Sequence, residues 1–248
     1  LEFARENSNI ILEFKTKSKN ISHLLKTDIP DNVFVSWSLN PQIFIDHEEH
    51  GTASLDQRLS CAKSLSDKGV LVGFHFHPIV YYEGYEDDYK NIVNKVMSIF
   101  EPNQIAMISM GTLTFIKPAI NKLRSEGLKS KVLQIPMVDA VGKSSYTKEI
   151  KAEIFSNVYN EFRAWHDDLF FYLCMEESSI WESVFGDFYK SNVDFETALL
   201  RFHQHIVRYR HKYRLKGNDI FSFFKSLFYF ICYLFYFSKC LMKSVGFI

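Results

Sequence analysis

The sequence predicts an α/β fold with a parallel β-sheet, and three observations favour it. Short runs rich in β-branched and aromatic residues alternate with helical stretches, which is the pattern of successive βαβ units. Two of these runs, Val70–Phe74 and Leu169–Leu173, are continuously apolar, as expected of strands covered on both faces. The chain has 248 residues, of which 47% are hydrophobic, so it can bury a substantial core. The pattern leaves open whether the sheet is a closed barrel, a half-barrel or an open sheet.

Strands and helices are predicted in a regular order along the first two thirds of the chain. The helix at Ser54–Lys68 has apolar residues three or four positions apart, Ser54 as a candidate N-cap and Gly69 as its terminating glycine. Further helices are predicted at Asp87–Phe100 and Lys148–Trp165, with turn and helix signals at Ser18–Leu25. The predicted strands are Ile10–Lys15, Val33–Leu39, Val70–Phe76, Ile105–Met110, Lys131–Ile135 and Leu169–Cys174.

Charge and cysteine content exclude two classes of function for the chain as a whole. Lys plus Arg and Asp plus Glu both number 29, so there is no global basic field of the kind that binds nucleic acid non-specifically, although a local basic groove is compatible with this balance. The four cysteines contain no closely spaced pair, so we expect no metal site formed by this chain alone. We interpret them as reduced residues of a cytoplasmic protein.

The composition changes after Gly186, which predicts three regions. Residues 1–186 form the α/β domain, residues 187–219 a basic helical extension, and residues 220–248 an apolar aromatic tail. The stretch Ile220–Phe237, interrupted by Lys225, is just long enough for a membrane span of roughly 20 residues. Two alternatives stay open, a buried or poorly ordered C-terminal helix and an unnatural extension of an interrupted reading frame.

Polar side chains follow several of the predicted strands at the point where each strand ends. The carboxyl ends of parallel strands meet at one edge of a sheet, where α/β proteins hold their ligands. The sequence therefore predicts a polar ligand site at this edge, and its candidate residues are Lys15, Lys17, Ser36, Ser38, Asn40, His75, His77, Cys174 and Glu176.

The histidine-rich and tyrosine-rich segments admit sharper interpretations. His47 and His50 are three residues apart and do not form a His-Glu-x-x-His motif, while His75 and His77 share one face of a strand but need a third ligand to hold a metal. We therefore expect no metal site in this chain. Tyr81 and Tyr82 either stack a base or line a substrate cleft, or they belong to a loop that leads into the next helix.

Five motifs in the same order and spacing resemble a known family. They are Leu12–Lys17, Val35–Pro41, Glu49–Leu55, Val72–Ile79 with the following Tyr-Tyr-Glu-Gly, and Tyr172–Glu176. Together they look like spore photoproduct lyase and its lyase-like relatives among the radical S-adenosylmethionine enzymes. The resemblance extends from about Leu1 to Gly186.

The resemblance implies a partial (βα)6 half-barrel, here without its first strands, that holds a [4Fe–4S] cluster and S-adenosylmethionine. In that family the reduced cluster cleaves S-adenosylmethionine, and the 5′-deoxyadenosyl radical abstracts hydrogen to reverse a thymine dimer in DNA. The family's electron donor would be a flavodoxin or a ferredoxin. By position, Lys17, Ser38 and His77 match residues that contact S-adenosylmethionine, with Ser36, Asn40 and His75 beside them. The substrate-binding candidates are Tyr81, Tyr82, Cys174 and Glu176.

Two departures from the family pattern qualify what the resemblance implies. His77 replaces a small residue of the lyase proper, so we expect it to contact the cofactor through its backbone. The family's Cys-x3-Cys-x2-Cys loop and its hydrogen-donating cysteine would both precede Leu1, and neither Cys61 nor Cys174 is an evident substitute. We therefore expect this chain alone to be inactive. The alternative is a non-catalytic relative that binds a nucleotide or nucleic acid without a cluster.

Overall fold

The computed structural model describes residues 1–127, 130, 132, 135, 137–140 and 143–212. The chain divides into two compact units, Leu1–His203 and Gln204–Ile248. In the first unit residues 192–203 are helical, and in the second unit the described residues, 204–212, are helical as well. No helix within the described ranges has the length and apolar character to cross a membrane. The predicted apolar stretch Ile220–Phe237 lies outside them.

Strands and helices alternate along the first unit as the sequence predicts. The strands are β1 (Leu12–Thr16), β2 (Val33–Ser38), β3 (Leu71–Ile79), β4 (Ile105–Thr112), β5 (Thr114–Ile116), β6 (Val138–Ala140), β7 (Lys143–Ser145) and β8 (Phe171–Leu173). The helices are α1 (Glu2–Glu6), α2 (Ser22–Lys26), α3 (Gln42–Glu48), α4 (Leu55–Asp67), α5 (Tyr85–Ile99), α6 (Lys117–Ser125), α7 (Lys148–Glu161) and α8 (Ser178–Phe185).

The main sheet has five parallel strands in the order β1-β2-β3-β4-β8. Strands β1 and β8 stand at its two edges, so the described sheet is open, as in a partial barrel. The α/β class and five of the six predicted strands are therefore confirmed. The predicted strand Lys131–Ile135 lies partly outside the described residues, and Val132 and Ile135, which are described, are not in a strand. A small antiparallel sheet, β5-β7-β6, precedes α7 and was not predicted.

The hydrophobic core lies between one face of the main sheet and the helices that cover it. Trp37 on β2 and Phe74 and Phe76 on β3 are fully buried on this face, and Phe74 meets Phe100 edge to face at 5.2 Å between ring centroids. Helices α4 and α7 pack on the strands, while α5 packs on α7. Because side chains alternate along a strand, burying these aromatic residues directs the residues between them to the opposite face.

Local signals explain where α4 begins and ends and where α5 begins. The Ser54 side chain accepts a hydrogen bond from the backbone N–H of Gln57, and the Gln57 side-chain oxygen accepts one from the Ser54 N–H, forming a capping box for α4. Gly69 follows α4 with φ of +100°, a conformation that favours glycine. The acidic residues Glu86–Asp88 lie in the first turn of α5, where the helix dipole favours negative charge.

Candidate functional site

The face of the main sheet opposite the helices carries polar side chains on every strand. The register places Lys15 beside Ser36, Ser38 beside His75, and His75 beside Ser109, so these residues form rows across the strands. We call this surface the polar face. Its polar residues are Glu13, Lys15, Ser36, Ser38, His75, His77, Ser109, Tyr172 and Cys174, and Phe34, Gly73 and Met107 lie on the same face.

Glu13 and His75 form the first hydrogen-bonded group on the polar face. His75 is buried, its Nε2 lies 2.5 Å from Glu13 Oε1, and the Ser36 hydroxyl donates to the same carboxylate oxygen. Burial lowers the pKa of His75, so the imidazole is neutral at neutral pH. Burial also acts to raise the pKa of Glu13, but the hydrogen bonds from His75 and Ser36 and the charge of Lys15 outweigh it and hold that pKa below its usual value.

Lys15 and His77 begin a second group, which extends across the sheet to β8. Lys15 Nζ lies 3.4 Å from His77 Nδ1, and His77 Nε2 lies 2.8 Å from Ser109 Oγ. Burial and the positive Lys15 lower the pKa of His77 to about 3. A neutral imidazole that accepts from Lys15 must carry its proton on Nε2, which can then donate to Ser109. Ser109 in turn hydrogen-bonds Tyr172, whose pKa is raised to about 12 by burial.

Gly111 provides the space that the His77 ring occupies. A Cβ atom at position 111 would lie 3.0 Å from His77 Nε2 and 3.1 Å from its Cε1. A side chain at position 111 would require the imidazole to shift by a few tenths of an ångström. The orientation of His77 toward Lys15 and Ser109 therefore depends on Gly111, the next-to-last residue of β4.

Glu49 organises the carboxyl edge of β1 and β2. Its carboxylate is buried and accepts from Lys17 Nζ at 2.6 Å, Asn40 Nδ2 at 2.7 Å and Arg58 Nη2 at 2.6 Å. Burial acts to raise the pKa of Glu49, but the bonds from Lys17 and Arg58 dominate and lower it. The fully buried Arg58 also donates to the backbone carbonyls of Ala53 and Ser38, at 2.8 Å each. These contacts fix Lys17 and Asn40 beside the end of β2.

Tyr89 of α5 orients the Asn40 side chain from the opposite direction. The Tyr89 hydroxyl donates to Asn40 Oδ1 at 3.0 Å and accepts from the Val80 backbone N–H at 2.9 Å. Asn40 Nδ2 also lies 3.4 Å from the backbone oxygen of His77. Helix α5 is thereby connected to the same edge of the sheet.

The residues that follow β8 form the far side of the site. Cys174 is half-buried, and burial raises the pKa of its thiol, so the thiol is protonated at neutral pH. The Glu176 carboxylate accepts from Lys151 Nζ at 2.8 Å and from the Thr112 hydroxyl at 3.1 Å. Between them, Met175 has a φ of +58° and is 83% exposed. Non-glycine residues held in this region are uncommon and cluster at functional sites.

Tyr81 and Tyr82 lie near the beginning of α5. The Tyr81 ring packs against Tyr85 and Tyr146, and the Tyr82 hydroxyl donates to Asp88 at 2.6 Å. Burial and the hydrogen bond to Asp88 raise the pKa of Tyr82 well above its usual value. The suggested roles of both tyrosines in substrate binding stay predictions.

The structure brings most of the sequence-predicted candidates together. Lys15, Ser36, Ser38, His75, His77 and Cys174 share the polar face, Lys17 and Asn40 lie at its carboxyl edge, and Glu176 follows β8. The assignment of individual residues to cofactor or substrate stays a prediction.

Sequence reasoning missed Glu13, Glu49 and Arg58. Glu13 alternates with Lys15 on a predicted strand, and Arg58 falls on the apolar stripe of α4 together with Leu55 and Leu59, so both positions carried a signal. Glu49 gave no comparable signal, because its burial results from contacts with three other elements.

His47 and His50, the histidines of the predicted pair, have a local role or lie at the surface. His47 Nδ1 lies 2.7 Å from the backbone oxygen of Ile43, one turn earlier in α3, and His50 is exposed. Over the part of the chain that the structure describes, no group of three His, Cys, Asp or Glu side chains is arranged to hold a metal ion.

These features define the class of protein. It is a partial α/β barrel with a parallel sheet, whose polar face and carboxyl strand edge form a candidate ligand site of neutral imidazoles, hydroxyls, lysines and paired carboxylates. A sequence model of the family described as spore photoproduct lyase matches residues 1–138, more than half of the chain. The chain belongs to the spore photoproduct lyase family.

Individual spore photoproduct lyases are similar in sequence to this chain over part of their length. The spore photoproduct lyase of Geobacillus sp. (strain Y412MC61) is 28% identical over 123 residues, covering 49% of this chain and 36% of the relative. That of Bacillus subtilis (strain 168) is 32% identical over 85 residues, covering 34% of this chain and 25% of the relative. The matches thus span about a third of these relatives or less.

Solved structures show the same fold. A spore photoproduct lyase double mutant with bound AdoMet and dinucleoside spore photoproduct has a TM-score of 0.58 at 22% identity, covering 66% of this chain and 51% of that one. A spore photoproduct lyase complexed with dinucleoside spore photoproduct has a TM-score of 0.56 at 23% identity with the same coverage. At this level of identity the comparison establishes the architecture.

Proposed function

We propose that this chain is part of a radical S-adenosylmethionine enzyme that acts on a photolesion in DNA, and that it binds S-adenosylmethionine at the carboxyl edge of its parallel sheet. The observation that carries the proposal is the polar face, which places Lys15, Ser38 and His77 in one continuous surface beside Lys17 and Asn40. In α/β proteins of this architecture that edge is where ligands bind. Family membership and the AdoMet bound in a structural relative support the choice of ligand.

The side chains available at this edge fit S-adenosylmethionine chemically. Its methionyl carboxylate requires a cation, which Lys17 supplies, and its ammonium and ribose hydroxyls require acceptors and donors, which Ser38 and nearby carbonyl groups supply. The Asn40 amide, already bonded to Glu49 and Tyr89, orients this edge of the sheet. The His77 ring is already engaged by Lys15 and Ser109, which leaves the backbone of His77 for the cofactor. When bound in such enzymes, S-adenosylmethionine supplies the 5′-deoxyadenosyl group that abstracts a hydrogen atom from the substrate.

In this proposal the chain's own residues position the cofactor and do not react with it. Glu49 holds Lys17 and Asn40 in place, and Arg58 holds Glu49. Neutral His75 and His77 present hydrogen bonds without adding charge to the site. The cysteines at positions 61, 174, 232 and 240 lack the spacing of a cluster-binding loop. These cysteines do not fit a [4Fe–4S] cluster.

Binding of S-adenosylmethionine to the full chain, measured by equilibrium dialysis with labelled ligand, tests the proposal. Lys17→Ala is expected to weaken binding at least tenfold, because an interaction between an ammonium and a carboxylate is lost. Lys63→Ala is the matched control, since Lys63 is paired with Asp67 at an exposed position of α4. Absence of binding by the unaltered chain, or equal binding by the two variants, would contradict the proposed site.

Catalysis is tested separately, with a protein extended upstream by the family's Cys-x3-Cys-x2-Cys segment. After anaerobic reconstitution, this protein should bind a cluster and release 5′-deoxyadenosine in the presence of DNA that contains the lesion. The 248-residue chain treated in the same way should release none. An extended protein that binds S-adenosylmethionine or DNA but forms no 5′-deoxyadenosine would favour a non-catalytic relative instead.

A further inference from the structure

An aromatic cavity lies beside the end of β8, in a part of the chain that follows the family match. Its volume is about 380 Å³, within the range of small-ligand sites. Its walls come from β8, α8 and the segment that leads to residue 195. The residues used in the argument are Tyr172, Cys174, Trp181, Tyr189, Lys190 and Phe195, which we call the stacking cavity.

The rings of the stacking cavity meet edge to face and line the cavity wall. Phe195 lies 5.3 Å from Tyr172 and 5.5 Å from Tyr189 between ring centroids, and Trp181 lies 5.8 Å from Tyr189 at an interplanar angle of 82°. Tyr189 is 38% exposed. Because these rings line the cavity and Tyr189 is partly exposed, a planar group can stack on the ring surface that faces the cavity.

The charge of the cavity suits an anionic ligand that carries a planar ring. Glu176 contributes to the wall, but its carboxylate is paired with Lys151 at 2.8 Å and bonded by Thr112. Lys190 adds a positive charge to the same wall. A lysine beside exposed aromatic rings is the combination with which proteins hold the phosphates and bases of a single strand.

The stacking cavity is continuous with the polar face. Tyr172 belongs to both, because its ring lines the cavity while its hydroxyl is hydrogen-bonded to Ser109. Cys174 also lines the cavity and follows Tyr172 on the same side of the strand. A group bound in the cavity therefore lies next to the proposed reaction site. The strained and exposed Met175 lies in the same wall.

We propose that the stacking cavity binds an unpaired base of a DNA strand next to the reaction site, with Lys190 on the adjacent phosphate. This inference rests on the proposed function, because it takes DNA as the substrate. It assigns the base to residues 172–195, whereas the family match ends at residue 138. The base is held by stacking, so the site tolerates different bases.

Fluorescence anisotropy with the full chain and a 5′-fluorescein-labelled hexathymidylate tests the inference. Trp181→Leu and Tyr189→Leu are each expected to weaken binding roughly five- to hundredfold, as expected for the loss of one stacked base. Phe3→Leu is the matched control, because Phe3 is a 62% exposed aromatic residue on α1, outside the cavity. Lys190→Ala should lower the slope of log affinity against log salt by about 0.7, as expected for one lost phosphate contact with a single strand.

A second probe keeps the test valid where a variant folds poorly. An abasic strand of the same length and charge should bind the unaltered chain at least about fivefold more weakly than hexathymidylate. Equal binding of the two probes would overturn the inference, as would folded Trp181 and Tyr189 variants that match Phe3→Leu. A chain that binds S-adenosylmethionine but not hexathymidylate refutes this inference alone, whereas failure to bind S-adenosylmethionine refutes the proposed function.

Discussion

The Glu13 carboxylate reaches across β2 to His75, with 2.5 Å between Glu13 Oε1 and His75 Nε2. The two residues lie on β1 and β3, which do not pair with each other. The strand between them contributes Ser36, whose hydroxyl donates to the same carboxylate oxygen. The Glu13 carboxylate oxygen on β1 therefore connects β1 to both β2 and β3 through hydrogen bonds on the polar face.

A double-mutant cycle of Glu13→Gln and His75→Gln is expected to show coupling between the two side chains. A hydrogen bond to a charged group contributes about 1.5–3 kcal/mol, so the double variant should be less destabilised than the sum of the single variants by about that amount. The free energy of unfolding from urea titration measures each variant. Single-variant losses that add to within about 0.5 kcal/mol would show that the contact contributes no coupling.

Stability is expected to fall as the pH falls from about 6.5 toward 5, because of His77. Its folded pKa of about 3 lies below the ordinary value of 6.5, so in this window the unfolded chain binds a proton that the folded chain does not. The stability is therefore present above pH 6.5 and is lost as the pH falls. One proton corresponds to a slope of roughly 1.4 kcal/mol per pH unit. His75, whose pKa is also lowered by burial, acts in the same direction.

Urea titrations of the unaltered chain and of His77→Gln across this range measure the contribution. The variant removes one titrating group, so its stability should depend on pH less steeply between pH 5 and 6.5. Glutamine retains a donor and an acceptor for Lys15 and Ser109, which limits other losses. Parallel curves for the two proteins would show that His77 does not carry the effect.

The fold could be predicted from the sequence because its signals are local. The strand β2 and the helix α4 were predicted to within one residue at each end, since apolar periodicity, Ser54 and Gly69 mark them. The small antiparallel sheet was missed because each of its strands has only three residues. Three residues are too few to show a period of two.

The sequence predicted the candidate-site residues that lie at strand ends, but not the residues that hold them in place. Lys17, Ser38 and His77 follow from the rule that parallel strands deliver ligand residues at their carboxyl ends. The carboxylate that holds Lys17 did not follow, because Glu49 lies 32 positions from Lys17 and nine from Arg58. Such contacts depend on how the elements pack, which the spacing of residues in the sequence does not report.

Ser54→Ala is expected to destabilise the protein by about 0.5–2 kcal/mol. The hydroxyl satisfies the backbone N–H of Gln57 at the beginning of α4, and alanine leaves that donor without its cap. The change in the free energy of unfolding from urea titration measures the effect. Ser60→Ala, at an exposed interior position of the same helix, is the control and should be neutral or slightly stabilising. Equal effects of the two substitutions would argue against the capping box.

Glu49→Gln is expected to destabilise the protein by about 3–5 kcal/mol, a large part of the total stability of a typical domain. The substitution leaves the guanidinium of Arg58, which is fully buried, without a counter-charge. The amide also cannot accept at two oxygens from Arg58, Asn40 and Lys17. Urea titration at pH 7 measures the loss, and Asp67→Asn, which breaks the exposed Lys63–Asp67 pair, should cost no more than about 1 kcal/mol.

The effect of Glu49→Gln should itself depend on pH, which separates a charge effect from a packing effect. The folded pKa of Glu49 is lowered by its bonds to Lys17 and Arg58, so the carboxylate stabilises the fold above its ordinary pKa of 4.5. That stabilisation is lost as the pH falls through the folded pKa. The difference between the unaltered chain and Glu49→Gln should therefore be largest near neutral pH and shrink below pH 4.5. A difference in stability that is constant with pH would assign the loss to packing. Lys17 would then be held at the site by packing and not by the charge of Glu49.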